Sequence, residues 1–231
     1  MELFYLGGNS SALHYAAKQL ESTGYRFSDT LNSEVTHILL DIPTPTTEIA
    51  LPDTVSKSVC IIGGNLPPMA AHPVLDLLQD SVYVAENAYI TAHCAVKLAI
   101  NRLSVPLRHC KVLVIGWGRI GKCLAALLKG LEANVTVAAR KESDRAMLTA
   151  LGYGAANTNG LSGHNYRIIF NTVPAMILTD NSPSLKSDLA SSPGIGGQDV
   201  LIARGLPGKE APEASGELIA RRIKHYLKKE R

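Results

Sequence analysis

The sequence has little of several things that would settle its class at once. Its 231 residues hold four cysteines, Cys60, Cys94, Cys110 and Cys123, far apart and without a Cys-x-x-Cys pair, so neither a zinc signature nor a disulfide framework is written into it. Scattered thiols of this kind suit a reducing compartment and point to the cytoplasm. No apolar stretch approaches membrane-spanning length, and the start, Met1 and Glu2 before a short apolar run, lacks the basic and hydrophobic regions of a signal peptide. These absences argue against a membrane location. A net charge of +3 is too small to imply a nucleic-acid surface. The one basic cluster, Arg221 to Arg231, is expected to be a solvated helix face, with an anionic partner as the other interpretation. The seven histidines form no ligand pair, so no metal site is expected.

What is present is an ordinary globular composition, 46% hydrophobic and 19% charged, in a length that suits one large or two small α/β units. Leu3 to Leu6 reads as a strand ended by Gly7-Gly8, and Ser10 offers an N-cap for a helix with Leu13, Ala16, Ala17 and Leu20 on one stripe. Val35 to Ile42 and Val59 to Ile62 read as further core strands. Ala92, Ala95, Val96, Ala99, Ile100 and Leu103 recur at helical spacing, which predicts a long linking helix over 86–104. Lys111 to Gly116 then reads as a buried strand, Ile120 to Leu131 as a helix and Val135 to Ala139 as a strand, one complete βαβ unit. The final helix carries Ile219, Ile223, Tyr226 and Leu227 on one side. The expected fold is α/β with two doubly wound domains: a small N-terminal one over 1–86, joined by the C-terminal helix 213–231, and a dinucleotide-binding one over 87–212.

The chemistry concentrates in Gly116-Trp117-Gly118-Arg119-Ile120-Gly121, a G-x-G-x-x-G placed between strand and helix. In a Rossmann site the first glycine permits the tight turn, the second lets backbone approach a pyrophosphate, and the third lets helix pack close on strand. Free N–H groups and the positive end of the following helix favour the diphosphate. The next strand ends in Ala139-Arg140-Lys141, with Arg140 19 residues beyond Gly121, where an NAD site would carry an acid. A guanidinium there pairs with a 2′-phosphate, which favours NADP over NAD; solvated charges at a strand end are the plain alternative. Asn171-Thr172-Val173-Pro174 follows a strand from Ile168 to Phe170 and is expected at the carboxyl edge, facing a nicotinamide ribose or simply forming a turn before proline. His93 is the best acid/base candidate, with Thr91 two residues before it, though a lone helical histidine also serves structural ends. Arg204 and Lys209 flank a Gly-Leu-Pro-Gly turn, as carboxylate partners or surface charges.

Taken in order, Asn87 with Thr91-Ala92, the glycine turn, Ala139-Arg140, Phe170 to Ala175, Asp188-Leu-Ala-Ser-Ser-Pro-Gly194, and Gly205-Leu-Pro-Gly208 with Ala211-Pro212 resemble the dipicolinate synthase A subunit of spore-forming bacteria, from about residue 83 onward. The resemblance implies an oxidoreductase subunit that works with a flavoprotein B subunit in sporulation, turning a dihydrodipicolinate-type precursor into pyridine-2,6-dicarboxylate. It implies an architecture similar to D-2-hydroxyacid dehydrogenases and a homo-oligomer. It places Asn87, Ser191 and Gly205 toward a small dicarboxylate substrate, which the guanidinium of Arg204 would suit as a partner. The chain departs from that pattern at His93-Cys94, and Ser184, Lys186 and Ser187 predict a poor core strand, with an element abbreviated between Gln198 and Arg204. A divergent NADP-binding subunit without chemistry is the alternative.

Overall fold

A computed structural model describes residues 2–45, 51, 52, 55–68 and 71–229. Met1, Glu230 and Arg231, which belong to the N-terminal and basic-cluster expectations, lie outside the described residues. The chain forms two compact units, 1–87 with 207–231, and 88–206.

The first unit is a parallel sheet of β1 (Leu3–Leu6), β2 (Arg26–Ser28), β3 (His37–Leu39), β4 (Cys60–Gly63) and β5 (Val74–Asp76), in the order β2-β1-β3-β4-β5. Between the first two strands runs α1 (Ser11–Glu21), capped by the Ser10 hydroxyl, which accepts the Leu13 N–H at 3.3 Å. Its buried face is Ala12, Leu13, Ala16, Ala17 and Leu20, the stripe that the spacing predicts. The C-terminal helix α6 (Pro212–Lys229) returns to this unit and packs on α1. At the contact stands Gly216, where a Cβ would lie 2.6 Å from the Ala12 carbonyl and 2.5 Å from the Tyr15 Cβ, so only glycine lets the two backbones approach this closely. Of the predicted stripe, Ile219, Ile223 and Leu227 are buried, while Tyr226 is only partly covered.

Two expectations change here. The linking helix α2 spans Ser81–Ile100, beginning and ending earlier than 86–104. Its start is fixed by Asp80, whose carboxylate accepts the Val82 N–H at 2.9 Å. The basic face of α6 is not wholly solvated: the Arg222 side chain is 12% exposed and its Nε lies 2.5 Å from the Asp80 carboxylate, while Arg221 pairs with Glu86. Two cations that looked free in sequence pair with carboxylates at the N-cap and in the second turn of a helix distant along the chain.

The second unit holds a six-stranded, wholly parallel sheet of β6 (Lys111–Ile115), β7 (Asn134–Ala138), β8 (Gly154–Ala156), β9 (Ile168–Asn171), β11 (Leu185–Asp188) and β13 (Val200–Ile202), in the order β13-β11-β9-β6-β7-β8. α3 (Arg119–Gly130) and α4 (Glu142–Ala150) supply the crossovers on one side of β6. On the other side, β10 (Leu178–Thr179) and β12 (Ile195–Gly196) pair with each other where crossover helices would otherwise run. The order reverses between β6 and β9, the switch point at which doubly wound sheets bind ligands. A short helix, α5 (Leu206–Glu210), follows β13.

The segment that looked unfit for a core strand is one. β11 is paired on both edges, to β9 and β13, and Lys186, Ser187 and Asp188 are buried, Lys186 to 1% exposure. The lysine is tolerated because its Nζ donates to the carbonyls of Ser182 at 2.8 Å and Asp180 at 3.2 Å, with the Asp180 carboxylate at 3.9 Å. Ser184 donates to the Tyr166 carbonyl at 2.6 Å. Burial raises the Asp180 carboxyl, but hydrogen bonds from the Ser182 hydroxyl and amide, with Lys186 close by, outweigh that and hold it below the usual carboxylate range. The abbreviated element between Gln198 and Arg204 is β13, short yet in register: Lys186, Ser187 and Asp188 face Val200, Leu201 and Ile202.

Candidate dinucleotide site

β6 delivers the chain into the glycine turn with four buried residues, Val112 to Ile115, so the turn is fixed by core packing. Gly116 has φ +106°, in the region that favours glycine, and its Cβ would also meet Val173 Cγ2 at 2.9 Å and collide with the Thr172 hydroxyl. At Gly121 a Cβ would run into the Gly116 carbonyl. Gly118 differs from both: no heavy atom lies within 4 Å of where its Cβ would stand. It is also the N-cap of α3 and offers no side chain to the helix start. The first and third glycines are therefore required by the fold, whereas the second opens a space in front of a helix N-terminus, as a bound diphosphate needs.

The two residues before Gly118, Gly116 and Trp117, line a pocket of about 310 Å³ together with Arg140, Lys141, Asp144 and Val173 among others. Arg140 and Lys141 are exposed at its rim. Arg145, which sequence reasoning passed over, donates from Nη1 to the carbonyls of Ala139 at 2.9 Å and Arg140 at 2.7 Å. It fixes the backbone from which Arg140 projects. Glycines, a bare helix start and a cationic rim are features that suit an anionic dinucleotide.

Asn171 and Thr172 brace this edge. Thr172 donates to the Ile115 carbonyl at 2.9 Å. Asn171 is fully buried, with Nδ2 donating to Asp188 and to the Val173 carbonyl, each at 2.9 Å, and Oδ1 accepting the Val173 N–H at 3.1 Å. Both its donors are engaged inside the protein, so its visible task is to shape the turn through Val173 and Pro174. Asp188 completes the brace by accepting the amides of Ala190 at 3.1 Å, Gly194 at 2.7 Å and Ile195 at 3.1 Å. Sequence reasoning quoted this aspartate within a motif and gave it no role. The loop it gathers presents Ser191, exposed, and is tied to Arg204, whose Nε donates to the Ala190 carbonyl at 3.0 Å. Gly205 follows at φ +65°.

The helical candidates sit elsewhere. His93 is exposed in a largely apolar groove of about 850 Å³ between α2 and α3, with Lys97, Lys122 and Cys123. None of the residues lining that groove lines the glycine-turn pocket. Burial pushes the Cys123 thiol up, away from thiolate. Thr91 is buried on α2, and Asn87, half-buried, is the last residue of the first unit before the second begins. Among the described residues no three His, Cys, Asp or Glu side chains are gathered to hold a metal, and no helix is long and apolar enough to cross a membrane.

A switch-point glycine turn on a parallel, doubly wound sheet is the architecture of the dinucleotide-dependent dehydrogenase class. No protein-family model matches the chain. The A subunit of dipicolinate synthase from Bacillus subtilis (strain 168) is 31% identical over 181 residues, 71% of this chain and 60% of that relative, so the match spans less than two thirds of the relative's length. The crystal structure of the Bacillus halodurans A subunit superposes with a TM-score of 0.81 at 20% identity, over 98% of this chain and 97% of that one. The crystal structure of its Bacillus subtilis counterpart gives 0.80 at 23% identity, over 99% and 96%. D-lactate dehydrogenase from Escherichia coli shares the fold more distantly, with a TM-score of 0.55 at 14% identity over 100% and 97%. The chain is thus similar in sequence to the dipicolinate synthase A subunit over part of that relative's length and shares the fold of the A-subunit crystal structures.

Proposed function

We propose that the chain is an NADP(H)-binding oxidoreductase subunit that works with a flavoprotein partner in forming pyridine-2,6-dicarboxylate. The observation that carries this is the open space at Gly118 before an uncapped helix start, next in sequence to Gly116 and Trp117, which share a pocket with Arg140 and Lys141. An oxidised nicotinamide held here would supply hydride acceptance, so that a dihydropyridine ring giving up a hydride to it and a proton to solvent would become an aromatic dicarboxylate. The protein's part is positioning. The amides at the start of α3 hold the pyrophosphate. Arg140 and Lys141 take the 2′-phosphate, with Arg145 fixing the backbone beneath them. Arg204, anchored through Nε, has its other N–H groups for a substrate carboxylate, with Ser191 and Gly205 on the same loop system. Asn87 belongs to the substrate side of this proposal and Thr91 to its catalytic side, both through the family resemblance. His93 is assigned no step, because its groove shares no residue with the pocket.

That placement of His93 favours a second reading, an NADP-binding subunit that contributes structure or regulation without chemistry. Assembly with itself and with the flavoprotein is part of both. The test is formation of pyridine-2,6-dicarboxylate, followed by its ultraviolet absorbance, with this chain, either cofactor and a flavoprotein B subunit. Product formed only with the chain present supports the first reading; nucleotide binding without product supports the second. Arg140→Asp is expected to weaken NADPH by about 10- to 100-fold, the loss of a charge-assisted phosphate contact, and to turn the preference toward NADH. Unchanged affinities in a titration would remove Arg140 from the site.

A further inference from the structure

Lys111, Asn134 and Gly154 are the first residues of β6, β7 and β8, so the cavity they share opens at the end of the sheet opposite the glycine turn. It measures about 690 Å³, and its lining includes Lys111, Lys129, Asn134, Tyr153, Asn165 and Tyr166. Two lysines and no carboxylate line it, which selects an anion. Two phenol-bearing residues offer faces for a flat ring. Asn134 donates from Nδ2 to the His109 carbonyl at 3.1 Å, which orients its amide. Charge and aromatic surface together fit a planar aromatic carboxylate better than a bare inorganic anion.

This cavity is in contact with the nucleotide site. Lys129 Nζ donates to the Leu151 carbonyl at 2.6 Å and stands 4.7 Å over the Tyr153 ring. The Tyr153 ring meets Trp117 edge to face, with centroids 6.0 Å apart, and Trp117 lies inside the glycine turn and lines its pocket. One continuous contact, Lys129 to Tyr153 to Trp117, joins the two ends of the sheet.

We propose that this cavity is a second binding site, for a planar aromatic carboxylate, and that its occupancy is transmitted to the glycine turn through Tyr153 and Trp117. A ligand that moves the Tyr153 ring changes the packing of Trp117, and so the loop that a dinucleotide must meet. The choice of pyridine-2,6-dicarboxylate as first probe rests on the proposed function; the site's chemistry does not, so benzoate is a second probe.

The experiment is an amide and indole NMR titration of the full chain with pyridine-2,6-dicarboxylate, benzoate or inorganic phosphate. Both aromatic acids are expected to shift the Lys111, Asn134 and Gly154 amides saturably, and Lys111→Glu, at an exposed side chain, to weaken that binding at least tenfold. Unmoved amides, or phosphate binding equally well, overturn the site. The Trp117 indole, from the chain's single tryptophan, reports transmission: its shift is expected to shrink in Lys111→Glu and in Tyr153→Leu. An identical indole response in wild type and both variants overturns the transmission. NADPH added alone reports on the amides of Gly116 to Gly121, so failure there strikes the proposed function and leaves the cavity result standing.

Discussion

The molecule contains two glycine turns between a first strand and a first helix, and they are finished differently. In the first unit the turn Gly7-Gly8-Asn9-Ser10 is filled from within. Asp41 accepts the N–H groups of Asn9 and Ser10, each at 3.1 Å, Ser10 caps α1, and a Cβ on Gly8 would stand 2.7 Å from the Asp41 backbone and carboxyl carbon. In the second unit the corresponding place at Gly118 is empty of side chains and α3 has no cap of its own. A helix N-terminus carries unsatisfied donors in either case. Where the chain supplies a carboxylate, the turn is structural; where it withholds one, the donors remain for an external anion. The difference teaches that the strand-glycine-helix pattern is a scaffold: an internal acid closes it to an outside anion, and the absence of one leaves its donors open.

The largest effects should come from crossing the two turns. Gly118→Val is expected to weaken NADPH at least 100-fold, about 2.7 kcal/mol, while circular dichroism and melting temperature stay near wild type, because the new side chain enters open space at an ordinary φ of −79°. Gly8→Val is expected to do the reverse, destabilising the fold through overlap with Asp41 and Leu13 and leaving the affinity of the folded fraction unchanged. If both variants bind and melt alike, the contrast between the turns is wrong.

A smaller effect is expected at Asp41. Asp41→Ala leaves the Asn9 and Ser10 amides without their acceptor, at a cost of about 1–3 kcal/mol in urea denaturation. The vacated turn would then resemble the second one, and added sulfate should recover part of the loss. Stability unchanged by the substitution would show that water replaces the carboxylate at no cost.

This contrast also marks where sequence was legible. The second turn could be read from its own residues, since glycine spacing, flanking strand and helix are local signals, and Arg140 falls at a fixed distance from Gly121. The parallel, doubly wound architecture followed from alternation of apolar runs and helical stripes, and the return of α6 from its amphipathic face. What closes the first turn was not legible, because Asp41 is 31 residues from Ser10 and nothing between them signals the pairing. The same holds for Asp188 and Asn171, 17 residues apart, and for Arg222 and Asp80, 142 apart. Lys186 misled for a related reason: a charged residue argues against a core strand until its carbonyl acceptors are known. Local patterns specify elements, whereas partners of buried polar groups are fixed only by the tertiary fold.

The smallest expected effect compares how the two units respond to acid. Each holds a buried carboxylate beside a cation, Asp80 with Arg222 in the first and Asp180 with Lys186 in the second. Burial raises the Asp80 carboxyl, but the hydrogen bond from Arg222 and those from the Val82 and Tyr83 amides outweigh it, and the group is held below its ordinary value. A carboxyl depressed in the folded state binds its proton less readily than the unfolded chain does. The stability it contributes is therefore complete above the ordinary carboxylate range and drains away as pH falls through it. Hydrogen exchange between pH 6 and 3, followed at α6 amides and at β11 amides, should show protection falling with pH in both units. In Asp80→Asn the α6 amides should start less protected at pH 6 and lose less on acidification, while β11 keeps its wild-type slope, since the Asp180 pair is untouched. A β11 slope that flattens together with α6 would mean that the two units open as one, and that their buried pairs cannot be separated by acid.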